Sequence, residues 1–141
     1  MEKAMNDEKI GQFNDSLERA SACGLLDLFY ELFLASSTEI EEKFKHTEFN
    51  KQKRLLKTSL YLMMIAEEEY EGTNLYLERV AINHNKKHLN IRPELYDTWL
   101  ECLIQAVSKT DPNYSPELEQ IWRMMMQRGV AIMKSYYDLE R

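Results

Sequence analysis

Only four glycines and three prolines interrupt these 141 residues, and between them apolar side chains recur at intervals of three and four. Glycine and proline are the residues that most disfavour a helix interior, so long stretches without them are free to coil, and the three-to-four spacing lines one face with apolar groups. The chain is therefore expected to be all-α. Its length suits one domain, residues 1–141, with about residues 1–8 as a flexible N-terminal segment, and leaves no room for a separate output module.

The periodicity places the helices. Phe13, Leu17 and Ala20 mark a short first helix after the polar "MNDEKIG", and Gly24 breaks it. Leu25, Leu28, Phe29, Leu32 and Phe33 form a broad apolar stripe, with Tyr30 beside it. Ser36 and Glu39 have capping-box spacing, which predicts a short helix carrying Ile40 toward Phe44. The longest helical signal runs from about Lys51 to Glu71 and stops at Gly72. In "TNLYLERVAINH", Leu77, Val80, Ala81 and His84 share one face. Pro93 suits the first turn of the next helix, "SKTDPNY" is a loop, and Ser115 with Pro116 opens the last helix.

Charge and cysteine usage exclude several classes. The net charge is −6 and the basic residues are interspersed with acidic ones, which argues against nucleic acid as a partner. There is no run of about eighteen apolar residues and no secretory leader pattern, so no membrane partner and a cytoplasmic location are expected. Cys23 and Cys102 lack metal-type spacing and read as small buried hydrophobes rather than a disulfide. The "EEEYE" stretch reads as a solvated face, and Met124 to Met126 as adaptable packing.

Few kinds of chemistry survive. A di-iron site in a helical bundle needs Glu-x-x-His pairs, but Lys43, Ala81 and Asn85 stand three residues before His46, His84 and His88. No two His or Cys residues have zinc-ligand spacing, no glycine-rich phosphate cradle appears, and nothing recommends a Cys/His nucleophilic pair. A lone His on an apolar helix face is most often structural. Haem is the group that needs only one such residue, because it brings four equatorial nitrogens and draws its remaining affinity from burial in an apolar pocket.

From about Phe13 to Tyr137 the chain resembles the globin family, above all bacterial single-domain globins and the haem domains of flavohaemoglobins. The segment "FYELFLASSTEIEEKF" is similar to their second and third helices, in which a Tyr precedes the haem-stacking Phe at the separation of Tyr30 and Phe44. The segment "NKQKRLLKTSL" resembles the start of their distal helix, with Gln52 at the polar position and Leu56 at the apolar position one turn on. The segment "HNKKHLNIRPELY" resembles the stretch that leaves the proximal histidine, and supplies Ile91 and Tyr96. His84 continues the apolar face of "LERVAINH", whereas His88 follows the lysine pair where the helix should be ending, so His84 is the expected iron ligand. Each residue also has a plainer reading: Phe44 as core, Gln52 as a surface polar residue, Tyr30 as an amphipathic residue at the core edge.

The resemblance implies a globin fold of about seven to eight helices around a pocket for haem b. It implies His84 on the metal, Phe44, Leu56, Ile91 and Tyr96 around the cofactor, and Tyr30 with Gln52 as distal hydrogen-bond donors to a diatomic gas. Asp138 falls where an acidic partner of the proximal Tyr would stand. The expected function is reversible O2 binding at a five-coordinate iron, with NO and CO as further ligands, for storage, delivery or sensing, in a monomer or homodimer. Two other functions fit the same residues less well: an NO dioxygenase served by a separate reductase, and a haem-free globin-fold interaction or signalling module.

Overall fold

The computed structural model describes residues 2–66 and 73–138. Among them the chain is all-α, with seven helices: α1 (Glu2–Ala22), α2 (Leu25–Ala35), α3 (Thr38–Lys43), α4 (Phe49–Ala66), α5 (Thr73–His84), α6 (Glu94–Thr110) and α7 (Pro116–Ser135). Gly72 and the "EEEYE" stretch lie outside the described residues. No helix among the described residues is long and apolar enough to cross a membrane. Helix α7 packs against α1, α4, α5 and α6, and α6 packs against α1, α2 and α7, so these two long helices hold the others in place.

Helix α1 is longer than its apolar face predicts. It starts at Glu2, so the segment expected to be flexible through residue 8 is helical; Glu, Lys, Ala and Met are good helix formers and no proline intervenes. Its buried face carries Phe13, Ser16, Leu17 and Ala20. The Phe13 and Trp122 rings lie 4.5 Å apart and both are fully buried; truncating either to Ala typically costs about 3–5 kcal/mol.

Beneath that ring pair sits a buried polar network. Ser16 donates to Asp111 Oδ2 at 2.5 Å, Trp122 Nε1 donates to Ser16 Oγ at 2.9 Å, and Arg19 Nε donates to Asp111 Oδ1 at 2.8 Å. The Asn113 backbone N–H completes the set at 2.9 Å from Asp111 Oδ1. Burial pushes the Asp111 carboxyl upward, but hydrogen bonds from Arg19, Ser16 and Asn113 outweigh it and hold the group below its ordinary value. A single carboxylate thus fastens α1 to the turn between α6 and α7.

Local chemistry sets the element ends. Gly24 adopts φ +92°, a left-handed conformation that costs glycine nothing, and separates α1 from α2. The cap of α3 is Ser37, whose hydroxyl accepts from the Glu39 and Ile40 N–H groups at 3.1 and 3.4 Å, and not the expected Ser36. Ser36 is already used: its backbone N–H and its hydroxyl both donate to the Phe33 carbonyl and close α2. The Glu39 carboxylate binds Arg92 instead of folding back on the cap. Helix α4 begins at Phe49, with Glu48 capping its first turn by accepting from the Asn50 and Lys51 N–H groups at 3.2 and 2.7 Å. Pro93 is the residue before α6, while Ser115 caps α7 by accepting from Leu118 N–H at 3.1 Å. Neither cysteine is in a disulfide; Cys102 is buried as expected, but Cys23 is exposed just past the end of α1.

Candidate functional site

Helix α2 and the first turn of α4 bring two polar side chains together in aromatic surroundings. Tyr30 is 4% exposed, and its hydroxyl accepts a hydrogen bond from Gln52 Nε2 at 3.1 Å. Among the described residues no acceptor stands within hydrogen-bond reach of the phenol's own proton. Burial raises the Tyr30 pKa to about 12 against the smaller opposing effect of the Gln52 bond, so the group remains a donor at physiological pH. Phe29, Phe44 and Phe49 meet the Tyr30 ring edge-on, with centroids 4.9, 5.9 and 5.5 Å away. Leu56, one turn beyond Gln52, is buried in the same core cluster.

His84 ends α5. Its Nδ1 lies 2.7 Å from the Val80 carbonyl one turn earlier, a contact that requires a proton on Nδ1 and therefore leaves the Nε2 lone pair free in the neutral ring. Burial lowers the pKa of this half-buried imidazole, with the Val80 bond opposing in part, so the neutral form is favoured.

The loop after α5 is tightly organised. Ile91 N–H donates back to the His84 carbonyl at 2.9 Å, and Leu89 N–H to that of Asn83 at 3.1 Å, which satisfies carbonyls at the helix end. Asn90 takes φ +53°, tolerable for asparagine, and its side chain accepts from the Tyr137 hydroxyl at 2.6 Å. Lys43 Nζ donates to the Leu89 carbonyl at 3.2 Å, and Arg92 grips Glu39 through both carboxylate oxygens, so the loop is strapped to α3. His88 is exposed in this loop, its Nδ1 within 2.9 Å of the Ile82 carbonyl and 2.8 Å of Asn85 Oδ1.

Tyr96, 9% exposed, packs with Ala81, Val130 and Met133, and with partly buried Val80 and Ile91. Burial drives its pKa well above the ordinary phenol value. Asp138, the suggested acidic partner on this side, is exposed and pairs with no described residue. No cluster of three or more His, Cys, Asp or Glu among the described residues is arranged to hold a bare metal ion.

No protein-family model matches the sequence, and none of the curated proteins compared with it does. Among solved structures, the crystal structure of a Pseudomonas aeruginosa PAO1 protein, described as structurally highly homologous to a human hemoglobin, matches with a TM-score of 0.86. The two are 36% identical, over 92% of this chain and 98% of that one. The chain belongs to the globin family. The fold of this globin agrees with the resemblance read from its sequence. Within it, Tyr30, Phe44, Gln52 and Leu56 gather around the α2 and α4 contact, whereas His84, Ile91 and Tyr96 gather around the end of α5.

Two further groups were not apparent in the sequence. Phe49 stacks on Phe44 at 6.1 Å while meeting Tyr30, yet it stands ahead of the apolar period of α4. The acceptor that orients His84 is the Val80 backbone carbonyl, which has no side-chain signature beyond the spacing of one helical turn.

Proposed function

We propose that this globin holds haem b through His84 and reversibly binds O2. Haem held by His84 would supply an iron able to take a diatomic ligand. The residues present fit such a group. His84 offers a neutral imidazole with a free Nε2 lone pair, its ring fixed by the Val80 carbonyl. Phe44 and Leu56 would supply apolar and aromatic lining for a flat macrocycle.

The observation that carries the gas-binding reading is the Gln52 to Tyr30 hydrogen bond inside this aromatic enclosure. A plain structural core gains little from a phenol whose proton has no acceptor, whereas a ligand that draws negative charge onto its outer atom gains a donor from it. Tyr30 is then the direct donor. Gln52, bonded to the phenol oxygen, fixes that hydroxyl's direction and polarises its proton outward.

The test begins with an absorption spectrum of the purified protein and of His84→Ala. A Soret band that is lost or altered in the variant supports ligation by His84. An unchanged band in His84→Ala redirects ligation to another residue, and a protein that takes up no haem supports the haem-free module instead. Stopped-flow O2 release then separates a binding globin from a mere haem carrier.

A further inference from the structure

We infer that Phe49 is a positioning residue, which holds the Tyr30 hydroxyl in its donating direction and thereby favours ligands that gain negative charge over those that do not. This deepens the haem and O2 reading and rests on it. A tyrosine hydroxyl sits at the far end of a ring that turns about two bonds, so its direction is only as fixed as the walls around the ring. Three rings make those walls. Phe29 belongs to α2 itself and moves with Tyr30, and Phe44 comes from the end of α3.

Phe49 differs in being carried by the helix turn that also presents Gln52. Residues three apart on a helix lie on one face, so α4 touches Tyr30 twice: Phe49 against the ring at 5.5 Å, and Gln52 on the oxygen at 3.1 Å. The turn is itself held, since Glu48 caps it and Phe49 is stacked against Phe44 with an interplanar angle of 28°. With the Phe49 ring removed, Tyr30 gains room to turn, and its hydroxyl spends part of its time out of reach of a ligand. A charge-gaining ligand such as O2 loses its donor; CO, which gains much less charge, loses little.

The experiment measures O2 and CO dissociation from the haem-loaded protein for wild type, Phe49→Ala, Phe49→Tyr, Tyr30→Phe and the double variant Phe49→Ala/Tyr30→Phe. Phe49→Ala is expected to speed O2 release about threefold to tenfold and CO release less than about twofold, while Phe49→Tyr, which keeps the ring edge, stays near wild type. In the Tyr30→Phe background the same truncation should change O2 release by less than about twofold, because there is no hydroxyl left to aim. A second readout is the flip rate of a 13C-labelled Tyr30 ring in the CO-saturated protein, expected to rise in Phe49→Ala. Equal acceleration with and without the Tyr30 hydroxyl, O2 and CO release moving together, or an unchanged ring-flip rate overturns the inference while leaving haem binding intact. A wild-type protein without a Soret band overturns the haem reading first.

Discussion

The side-chain amide of Gln52 donates to the hydroxyl of Tyr30 across 3.1 Å, joining α4 to α2 at the centre of an aromatic cluster. The two groups therefore form one unit rather than two independent donors. In the proposed function the phenol contributes the donated proton, and the amide, with the Phe49 ring, sets where it points.

Removing the phenol proton should be the most damaging single change to gas binding. Tyr30→Phe keeps the ring and its packing while deleting a donor to a charged acceptor, so O2 release should accelerate about tenfold to a hundredfold, with CO release far less affected. Stopped-flow dissociation rates for the two gases check this, and an unchanged O2 rate would remove Tyr30 from the distal chemistry.

Gln52→Leu should have a smaller effect of the same sign, about threefold to tenfold on O2 release, because the hydroxyl survives without its aim. Should Gln52→Leu match Tyr30→Phe in size, the amide must meet the ligand itself.

His84 gives the haem-free protein a pH signature. Its folded pKa lies below the ordinary value because burial disfavours the imidazolium, so between the folded value and about 6.5 the unfolded chain binds the extra proton. The stability linked to this residue is present above about pH 6.5 and is lost as pH falls through the folded value. Urea denaturation of wild type and His84→Leu at pH 5 to 7 should show a steeper decline for wild type; parallel curves contradict the assignment.

Asp111→Asn should destabilise the fold by about 3 kcal/mol, since Arg19 and Ser16 lose a charged acceptor inside the protein. The wild-type carboxylate, held below its ordinary pKa, supports the fold above about pH 4 and ceases to do so as pH drops through its folded value. Thermal melts at pH 7 and pH 3 should show the gap between wild type and variant shrinking in acid.

Ser37→Ala should cost about 1 kcal/mol, the usual effect of deleting an N-cap hydroxyl. Ser36→Ala should cost less, because the backbone N–H of residue 36 still donates to the Phe33 carbonyl. Chemical denaturation of the pair distinguishes the two serines.

Helix order was legible because the apolar periods of α2, α5, α6 and α7 are undiluted, and Gly24 and Pro116 punctuate them. The start of α1 was not, since its opening residues are polar and helix-compatible without showing a face. Adjacent serines at 36 and 37 both have capping chemistry, and only the prior use of Ser36 by α2 decides between them. At the candidate site, Tyr30 and Gln52 were readable as residue types, but their direct bond was not, because it depends on how two helices cross. Asp111 was invisible for a similar reason. An Asp before Pro in a loop looks like ordinary turn chemistry, and its partners Ser16 and Arg19 lie 95 and 92 residues away.

That distance governs the timing of assembly. Trp122 reaches Ser16 across 106 residues of sequence, so closing this corner carries a large loop-closure entropy and is a slow step of folding compared with forming any one helix. Until α7 docks, the Phe13 ring of α1 lacks the Trp122 ring that covers it, so the two ends of this fold are completed together.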